Sequence, residues 1–303
     1  MIKLTFLGTS AQIPTVTRNH SAFLLNYNSG KSNENILVDC GENTQRQMRI
    51  AKISPNCLTK IFITHWHGDH TLGLPGLIQT LNAHDYKKVL DIYGPKGFKK
   101  YFELMLKAFL LEGKINFRIH EIEKGGVVFE NSDFKVEAMF MEHTAPCLSY
   151  SFIEKERRRI NLSYLKKIGL KSGPILKNLQ EGKNIKFNKK TVSVKDATYL
   201  VRGKKITIVL DTKVNKNIEK MSKNADLLII ESTFAEDLKD KAKEYKHLTS
   251  VEAAGLAKKS KVEKLILTHI SQRYEDDLTK LLKEAKKIFK NSEIAKDFMI
   301  VEI

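Results

Sequence analysis

The chain has 303 residues, a formal net charge of +17 at pH 7 and a hydrophobic content of 42%. This length can bury a large core, as one large domain or two smaller ones, and the composition is that of a globular protein. No apolar run approaches the roughly 18 residues of a membrane span. The first residues also lack the charged and long apolar regions of a signal peptide.

The charge predicts a class of binding partner, and the cysteines predict a cellular compartment. A strongly basic chain is expected to bind a polyanion, and nucleic acid is favoured over an anionic membrane surface. The alternative is that the lysines are scattered over the whole surface and form no binding site. Cys40, Cys57 and Cys147 are far apart and odd in number. They favour free thiols in a reducing cytoplasm.

Short β-rich runs and helical patterns alternate along the chain. The first half predicts strands over 2–8, 21–27, 35–39, 60–65, 89–94, 134–141 and 148–153, with helices over 42–52, 73–83 and 95–112. The second half predicts strands over 198–203, 205–211, 225–231, 264–269 and 297–303, with helices over 250–260 and 277–290. This order predicts a layered α/β fold with sheets inside and helices outside.

The segment 154–195 departs from this pattern. It contains 13 lysines and arginines and only 3 acidic residues, and a Gly-Pro pair interrupts it at 173–174. Few large apolar residues recur in it, so we expect an extruded subdomain rather than core. Because the positive charge is concentrated here, the scattered-lysine alternative is weakened.

The sequence "IFITHWHGDH" (61–70) places four coordinating side chains within six positions. His65 and His67 alternate at the predicted end of a strand, so both side chains point the same way, and Asp69 and His70 follow on a turn. A single histidine on an apolar face is usually a satisfied core residue. Four such groups buried without partners would be costly, which favours a metal site.

Three more candidate ligands also follow predicted strands. His143 comes after 134–141, Asp211 ends 205–211, and His269 ends 264–269. Imidazole and carboxylate ligands without thiolate suit zinc among the divalent ions. Five histidines and two aspartates exceed one tetrahedral zinc, and a two-metal site is one used for phosphate ester displacement.

The motif T-H-x-H-x-D-H, followed by the later histidine, aspartate and histidine, resembles the metallo-β-lactamase superfamily. The strings "LTFLGTSAQIPTVTRNHSAFLL", "LVDCGENTQRQM", "FITHWHGDHTLGLPGLI" and "HLTS" resemble the short form of the ribonuclease Z (tRNase Z) family over nearly the whole chain. This resemblance implies a four-layer αβ/βα sandwich over 1–303 with an inserted basic arm over 154–195. It also implies a zinc-dependent endoribonuclease that cleaves the 3′ trailer from precursor tRNA, leaving a tRNA 3′-hydroxyl and a trailer 5′-phosphate.

The resemblance also implies roles for individual residues. His65, His67 and His143 would hold one zinc ion; Asp69, His70 and His269 would hold a second; and Asp211 would bridge the two. Two positive ions per chain suit a phosphodiester and its transition state, and they lower the pKa of water toward about 7. Asp69 is in addition the candidate general base.

His247 lies in "HLTS", just before the predicted helix 250–260. One interpretation is a helix cap, with Thr249 or Ser250 as the N-cap residue and His247 incidental. The family resemblance instead implies that His247 donates a proton to the leaving 3′ oxygen, and Glu231 could orient it. His20, His84 and His120 match no ligand pattern; we expect His84 and His120 at the surface or in the core.

The resemblance implies that the basic arm binds the tRNA body through backbone contacts and that the enzyme is a homodimer; the free thiols predict a cytoplasmic location. The arm residues expected to contact tRNA are Arg157, Arg158, Arg159, Lys166, Lys167, Lys171, Gly173 and Pro174. Such a density of cations suits phosphate contacts.

Two positions depart from the family pattern. The family loop P-x-K-x-R-N reads here from Pro14 to Asn19 with Val16 in place of the lysine, which puts discrimination against CCA ends in doubt. The glycine that usually precedes the bridging aspartate is Leu210.

Two other functions fit parts of the pattern. A hydrolase of small esters on the same fold would need no basic arm, and a non-catalytic RNA-binding relative would not need seven ligands. Metal analysis together with cleavage of a precursor tRNA distinguishes these alternatives.

Overall fold

The structure of the protein, a computed structural model, describes residues 1–30 and 32–303. Its strands are β1 Ile2–Gly8, β2 Ala22–Asn28, β3 Asn33–Val38, β4 Lys60–Phe62, β5 Val89–Pro95, β6 Asn116–Ile122, β7 Gly126–Glu130, β8 Phe134–Met141, β9 Cys147–Glu154, β10 Arg157–Ile160, β11 Ile185–Phe187, β12 Lys190–Val192, β13 Thr198–Val201, β14 Lys205–Val209, β15 Leu227–Glu231, β16 Lys264–Thr268, β17 Ser292–Ile294 and β18 Ile300–Glu302. Its α-helices are α1 Thr44–Ile50, α2 Gly68–Thr71, α3 Leu74–Ala83, α4 Phe98–Ala108, α5 Leu162–Lys167, α6 Leu176–Gln180, α7 Val194–Ala197, α8 Lys216–Ser222, α9 Lys239–Tyr245, α10 Ser250–Lys259 and α11 Thr279–Ile288.

Two seven-stranded mixed sheets form the centre of the molecule. The first has the order β18-β1-β2-β3-β4-β5-β6, and the second has the order β17-β16-β15-β14-β9-β8-β7. In the first sheet β3 to β6 are parallel neighbours, and in the second β14 to β17 are. The carboxyl ends of parallel strands gather polar loops at one edge of a sheet, the usual place for a functional site in α/β folds.

Aromatic rings fill the space between the sheets. The Tyr27 ring of the first sheet lies 5.2 Å from Phe134 and 5.3 Å from Phe152 of the second sheet, measured between ring centroids. All three side chains are buried, and each such burial contributes about 1.5–3 kcal/mol. This inner core joins the two sheets face to face.

The outer faces of the sheets are covered by helices. On the first sheet, Met48 of α1, Leu77 of α3 and Phe102 of α4 belong to one buried apolar cluster. On the second, Leu256 of α10 and Leu281 of α11 belong to another. The four-layer αβ/βα sandwich predicted from the sequence is therefore confirmed. In the described part of the chain no helix is long and apolar enough to cross a membrane.

Several elements differ from the prediction. The strand predicted over 60–65 ends at Phe62, and the helix predicted over 95–112 is shorter because Gly97, with φ 88°, precedes its start at Phe98. Strands β6, β7 and β17 and helices α8 and α9 were not predicted. In β6, at the edge of its sheet, Phe117 and Ile119 alternate with polar residues, but this period of two is short and ends at His120 and Glu121.

The arm has a small core of its own, which corrects the expectation of few apolar residues. β10 pairs with β13, and β11 pairs with β12. Between these ribbons and α5 to α7 lies a separate apolar cluster, made of Leu165, Leu170, Leu179, Ile185, Val192, Val194 and Ala197. The basic side chains of the arm are therefore carried by a folded subdomain.

Candidate metal centre and its cleft

All seven predicted ligands converge at one edge of the sandwich. His65 and His67 follow β4, His143 follows β8, Asp211 follows β14, and His269 follows β16. Asp69 and His70 lie in the short helix α2 rather than on a plain turn. Together the seven side chains form two overlapping groups.

The first group consists of His65, His67, His143 and Asp211. Its ligand atoms lie within 4.8 Å of one another. The His67 Nδ1 atom lies 2.9 Å from His65 Nε2 and 3.3 Å from His143 Nε2. The Asp211 Oδ2 atom lies 3.7 Å and 3.6 Å from the same two Nε2 atoms.

The second group consists of Asp69, His70, His269 and again Asp211. The Asp211 Oδ1 atom lies 3.3 Å from His70 Nε2 and 3.1 Å from His269 Nε2. The Asp69 Oδ2 atom lies 3.3 Å from both of these nitrogens. Asp211 therefore offers one oxygen to each group, which is the arrangement of a bridging carboxylate.

These donors fit a divalent metal. His70 Nε2 and Asp211 Oδ1 are buried and have no hydrogen-bond partner among the residues that the structure describes, a costly state unless a cation binds them. Tetrahedral ligands at a bond length of about 2.0 Å stand about 3.3 Å apart, which matches the spacing of the second group. Imidazole and carboxylate without thiolate suit zinc among such ions.

Asp39 and Thr64 fix the orientation of two of the histidines. The buried Asp39 carboxylate accepts from His70 Nδ1 at 2.7 Å and from the Thr64 backbone N–H and hydroxyl at 2.7 and 2.8 Å. The Thr64 hydroxyl in turn lies 3.0 Å from His65 Nδ1. Both rings are therefore held with Nδ1 protonated and Nε2 free for a metal.

A matching network holds His269. The Thr233 hydroxyl donates to Glu231 Oε2 at 2.7 Å and lies 3.0 Å from His269 Nδ1, so it accepts from that nitrogen. Glu231 also accepts from the Thr212 backbone N–H at 2.7 Å, directly after Asp211. One buried carboxylate thus positions parts of two ligand-bearing loops.

Asp39, Thr64 and Thr233 were not among the residues predicted from the sequence. Asp39 follows a β-run in the same manner as Asp211 and His269, so the same signal marks it. Gly41, two residues later, permits a close approach between loops: a Cβ there would stand 2.5 Å from the Asp69 carbonyl oxygen.

His247 lies beside the two groups and is paired with Glu231. Its Nδ1 atom is 3.0 Å and 3.1 Å from the two Glu231 oxygens. Burial alone lowers the pKa of His247, but the neighbouring Glu231 carboxylate outweighs it and raises the pKa to about 9. Thr249 caps α10 through a capping box with Glu252, so the capping interpretation is correct for Thr249 while His247 has a partner of its own.

The carboxylates of the site are held ionised. Burial opposes the charge on Asp211, yet His269 and His70 keep its pKa well below the usual range. Burial likewise opposes the charge on Asp69, and His70 and His269 lower its pKa. Ionised carboxylates are the form that ligates a metal.

The centre opens into a cleft of about 640 Å³. Its walls include Ile13, Leu72, Phe234, Tyr245 and Arg273. It carries apolar and aromatic side chains beside the ionised centre.

The loop with the P-x-K-x-R-N pattern borders this cleft. Val16 at the position of the family lysine is 98% exposed, whereas Arg18 is 6% exposed. The Arg18 Nη1 atom donates to Thr9 Oγ1 at 2.7 Å and to the Ala295 carbonyl at 2.8 Å. Arg18 therefore anchors the loop, and Val16 presents no charge from it.

The remaining predicted residues lie elsewhere. Among the described residues that line the cleft, none belongs to the predicted arm set, whose members are exposed except for the half-buried Arg158. His84 is exposed, and His120 pairs with Asp91 at 2.8 Å. His20 is buried and lies 3.0 Å from the Gln12 carbonyl oxygen.

The sandwich with paired histidine and aspartate groups at one edge defines a metallo-β-lactamase-fold protein with a metal centre. A metallo-β-lactamase fold protein from Bacillus subtilis shares the fold, with a TM-score of 0.72 and 20% identity over 100% of this chain and 99% of that one. Residues 2–163, about half of the chain, match the family model described as anti-Pycsar protein Apyc1, so this half belongs to that family.

Two relatives extend over the whole chain, including Asp211, His247 and His269. A ribonuclease Z from Methanosarcina acetivorans is 40% identical over 306 residues, covering 100% of this chain and 98% of the relative. The crystal structure of human tRNase Z, short form, has a TM-score of 0.72 and 30% identity, covering 99% of both chains. The chain belongs to the ribonuclease Z family.

Proposed function

We propose that this chain is a zinc-dependent endoribonuclease that removes the 3′ trailer from precursor tRNA. Its family membership makes it a hydrolytic nuclease that acts at tRNA 3′ ends. The products we propose are a tRNA 3′-hydroxyl and a 5′-phosphate on the trailer.

One observation supports the proposal above the others. Two ligand groups share Asp211, and a histidine held by Glu231 stands beside them with its ring centroid 5.3 Å from His143 and 5.5 Å from His269. A phosphodiester needs charge neutralisation, a nucleophile and an acid for the leaving oxygen. The two ligand groups would hold the ions that supply the first two, and His247 would supply the acid.

Two zinc ions per chain are the cofactors we propose. His65, His67 and His143 would hold the first, Asp69, His70 and His269 the second, and Asp211 both. When bound, such a pair of ions supplies an activated water at neutral pH and stabilises charge on the phosphate oxygens.

The residues of the chain do the remaining work. Because His247 Nδ1 is engaged by Glu231, its other ring nitrogen is free to give a proton to the departing 3′ oxygen. Its raised pKa keeps that proton in place at neutral pH. We propose Asp69, whose Oδ2 atom lies 3.3 Å from His70 Nε2 and from His269 Nε2, as the general base.

The substrate class follows from charge. Exposed cations of the arm, on β10, on α5 and before α6, suit phosphates of a folded RNA. A small ester would need no such surface, which favours tRNA over the small phosphodiesters, sulfates and thioesters. Because Val16 lacks a charge, we propose that discrimination against CCA ends is weaker here than the family pattern implies.

We further propose a cytoplasmic homodimer. Tyr101 and Leu104 on α4 and Phe109 and Leu110 just after it are exposed large apolar side chains. An exposed apolar surface of this kind suits contact with a second copy. Light scattering of the purified protein tests this part separately.

The proposed function is tested with zinc-loaded protein and a precursor tRNA that carries a 3′ trailer. We expect about two zinc ions per chain and cleavage that leaves a 3′-hydroxyl on the tRNA. Asp211→Ala should abolish cleavage, while Asp240→Ala, which changes an exposed aspartate of α9, should not. Intact precursor in the presence of fully loaded protein would refute the proposal.

A further inference from the structure

Arg273 lies on the wall of the cleft, and two contacts orient its side chain. Its guanidinium carbon lies 5.2 Å from the centroid of the Phe234 ring, and its Nε atom donates to Ser271 Oγ at 3.0 Å. No ion pair of Arg273 occurs within residues 1–30 and 32–303. The contact with the Phe234 ring and one hydrogen bond thus orient the guanidinium of this exposed side chain, while the two Nη atoms stay available.

The support of this side chain is rigid and joined to the metal centre. Ser271 is two residues after the ligand His269, and between them Ile270 donates to the Thr9 carbonyl at 3.0 Å. Tyr274, next to Arg273, accepts from the Ala235 backbone N–H at 2.9 Å. The turn that carries Arg273 is therefore tied both to the ligand loop and to the segment that carries Phe234.

The position of Phe234 indicates which nucleotide of the substrate Arg273 and Phe234 face. Its ring centroid is 6.2 Å from that of His247. In the proposed function His247 protonates the leaving 3′ oxygen, so nearby groups face the nucleotide that carries this oxygen. That nucleotide is the last one of the tRNA product of the cleavage.

We infer that Arg273, stacked on Phe234, binds the phosphate on the 5′ side of the nucleotide whose 3′ oxygen leaves. This inference rests on the proposed function. A guanidinium with two free Nη atoms can hold a phosphate in a bidentate manner, and Lys in its place would supply charge without the planar fork. The contact would position the leaving nucleotide against His247 and take no part in the zinc chemistry.

The test compares Arg273→Ala and Arg273→Lys with the wild type and with Arg49→Ala, which removes an exposed arginine of α1 outside the cleft. The first substrate is precursor tRNA, and the second is the same RNA with a neutral methylphosphonate in place of the proposed phosphate. The third is bis(p-nitrophenyl) phosphate, which has no nucleotide on the leaving side.

We expect Arg273→Ala to lower kcat/KM on precursor tRNA by about 10- to 100-fold, the range of a lost charged hydrogen bond. Arg273→Lys should recover part of this loss, and Arg49→Ala should change nothing. Hydrolysis of the small ester and zinc content should stay at wild-type levels. The methylphosphonate should slow the wild type by a similar factor and slow Arg273→Ala hardly further.

Two results would overturn the inference. If the methylphosphonate slows wild type and Arg273→Ala equally, Arg273 does not contact that phosphate. If small-ester hydrolysis falls together with tRNA cleavage, Arg273 supports the centre structurally. A wild type that leaves precursor tRNA intact would instead refute the proposed function itself.

Discussion

Replacing Glu231 with Gln should change the pH dependence of tRNA cleavage. Glu231 holds His247 Nδ1 through two short contacts and keeps the pKa of His247 at about 9, against an ordinary value of 6.5. A general acid works only while protonated. The wild-type rate should therefore be high below pH 9 and fall as the pH rises through that value.

The size of the effect follows from these two values. At pH 7.5 a group with a pKa of about 9 is almost fully protonated, whereas one with a pKa of about 6.5 is protonated in about a tenth of molecules. Glu231→Gln removes the negative charge that raises the pKa of His247, and Gln can keep part of the hydrogen bonding. We expect a rate about 10-fold lower at pH 7.5, with the falling limb displaced toward pH 6.5 and the deficit shrinking below pH 6.

The assay is single-turnover cleavage of precursor tRNA between pH 5.5 and 9.5, with p-nitrophenyl esters as the comparison. Their leaving group needs no proton, so Glu231→Gln should affect them far less. His247→Ala should slow tRNA cleavage by about 10²–10⁴ and remove this limb altogether. If Glu231→Gln leaves the falling limb of the pH profile in place, or if His247→Ala slows both substrates equally, His247 positions the substrate and is not the acid.

Three other changes test the metal centre and the arm. Asp211→Ala should lose affinity for both ions, because the carboxylate offers an oxygen to each group; one tightly retained ion with full activity would contradict a bridge. Asp39→Asn should weaken metal affinity about 10- to 100-fold in a chelator titration, because one amide oxygen cannot accept at both positions where the carboxylate accepts from Thr64 and His70, and Asp240→Ala should not. Replacing 156–193 with a Gly-Ser linker should preserve metal content and small-ester hydrolysis but weaken tRNA binding by orders of magnitude. The dependence of log affinity on log salt should become shallower by about one unit per lost phosphate contact, and unchanged tRNA processing would place the basic surface elsewhere.

The predicted ligands could be found because chemistry leaves a local mark on the sequence. His65, His67, Asp69 and His70 fall within six positions, and the other ligands come directly after apolar β-runs. The structure brings these seven residues together as the pattern indicates. The residues that orient them were harder to find, since Asp39 is 25 positions from Thr64 and 31 from His70 and the bond between distant residues has no local signal.

The arm shows where composition misleads. Its charge density indicated an extruded segment, but the same density hid the apolar residues that form its small core, such as Leu165, Leu179 and Val192. Its helices have six residues or fewer, too short for a helical period to show. Tertiary contacts, and not local periodicity, give these elements their place.

The centre also carries backbone strain that the rest of the fold must offset. Asp39, Asp211 and His269 follow strands and have φ values of 58°, 31° and 54°, in the left-handed region that favours glycine. Such residues cost about 1–3 kcal/mol each and persist where the surroundings hold them. Here the two packed sheets hold the three residues in place. Their left-handed backbone turns the chain, so that their side chains project over the edge of the sheet.

This strain gives a last prediction. In metal-free protein, Asp211→Gly and Asp211→Ala both remove the ligand, but only glycine relieves the left-handed backbone. Asp211→Gly should therefore be the more stable variant to heat, even though glycine gains more freedom on unfolding, and a difference of about 1 kcal/mol is the expected size. Thermal unfolding in the presence of a chelator measures it. If the alanine variant is equally or more stable, the strain at position 211 is no larger than the entropic cost of glycine, about 0.4–1 kcal/mol, and the expected strain of about 1–3 kcal/mol is refuted.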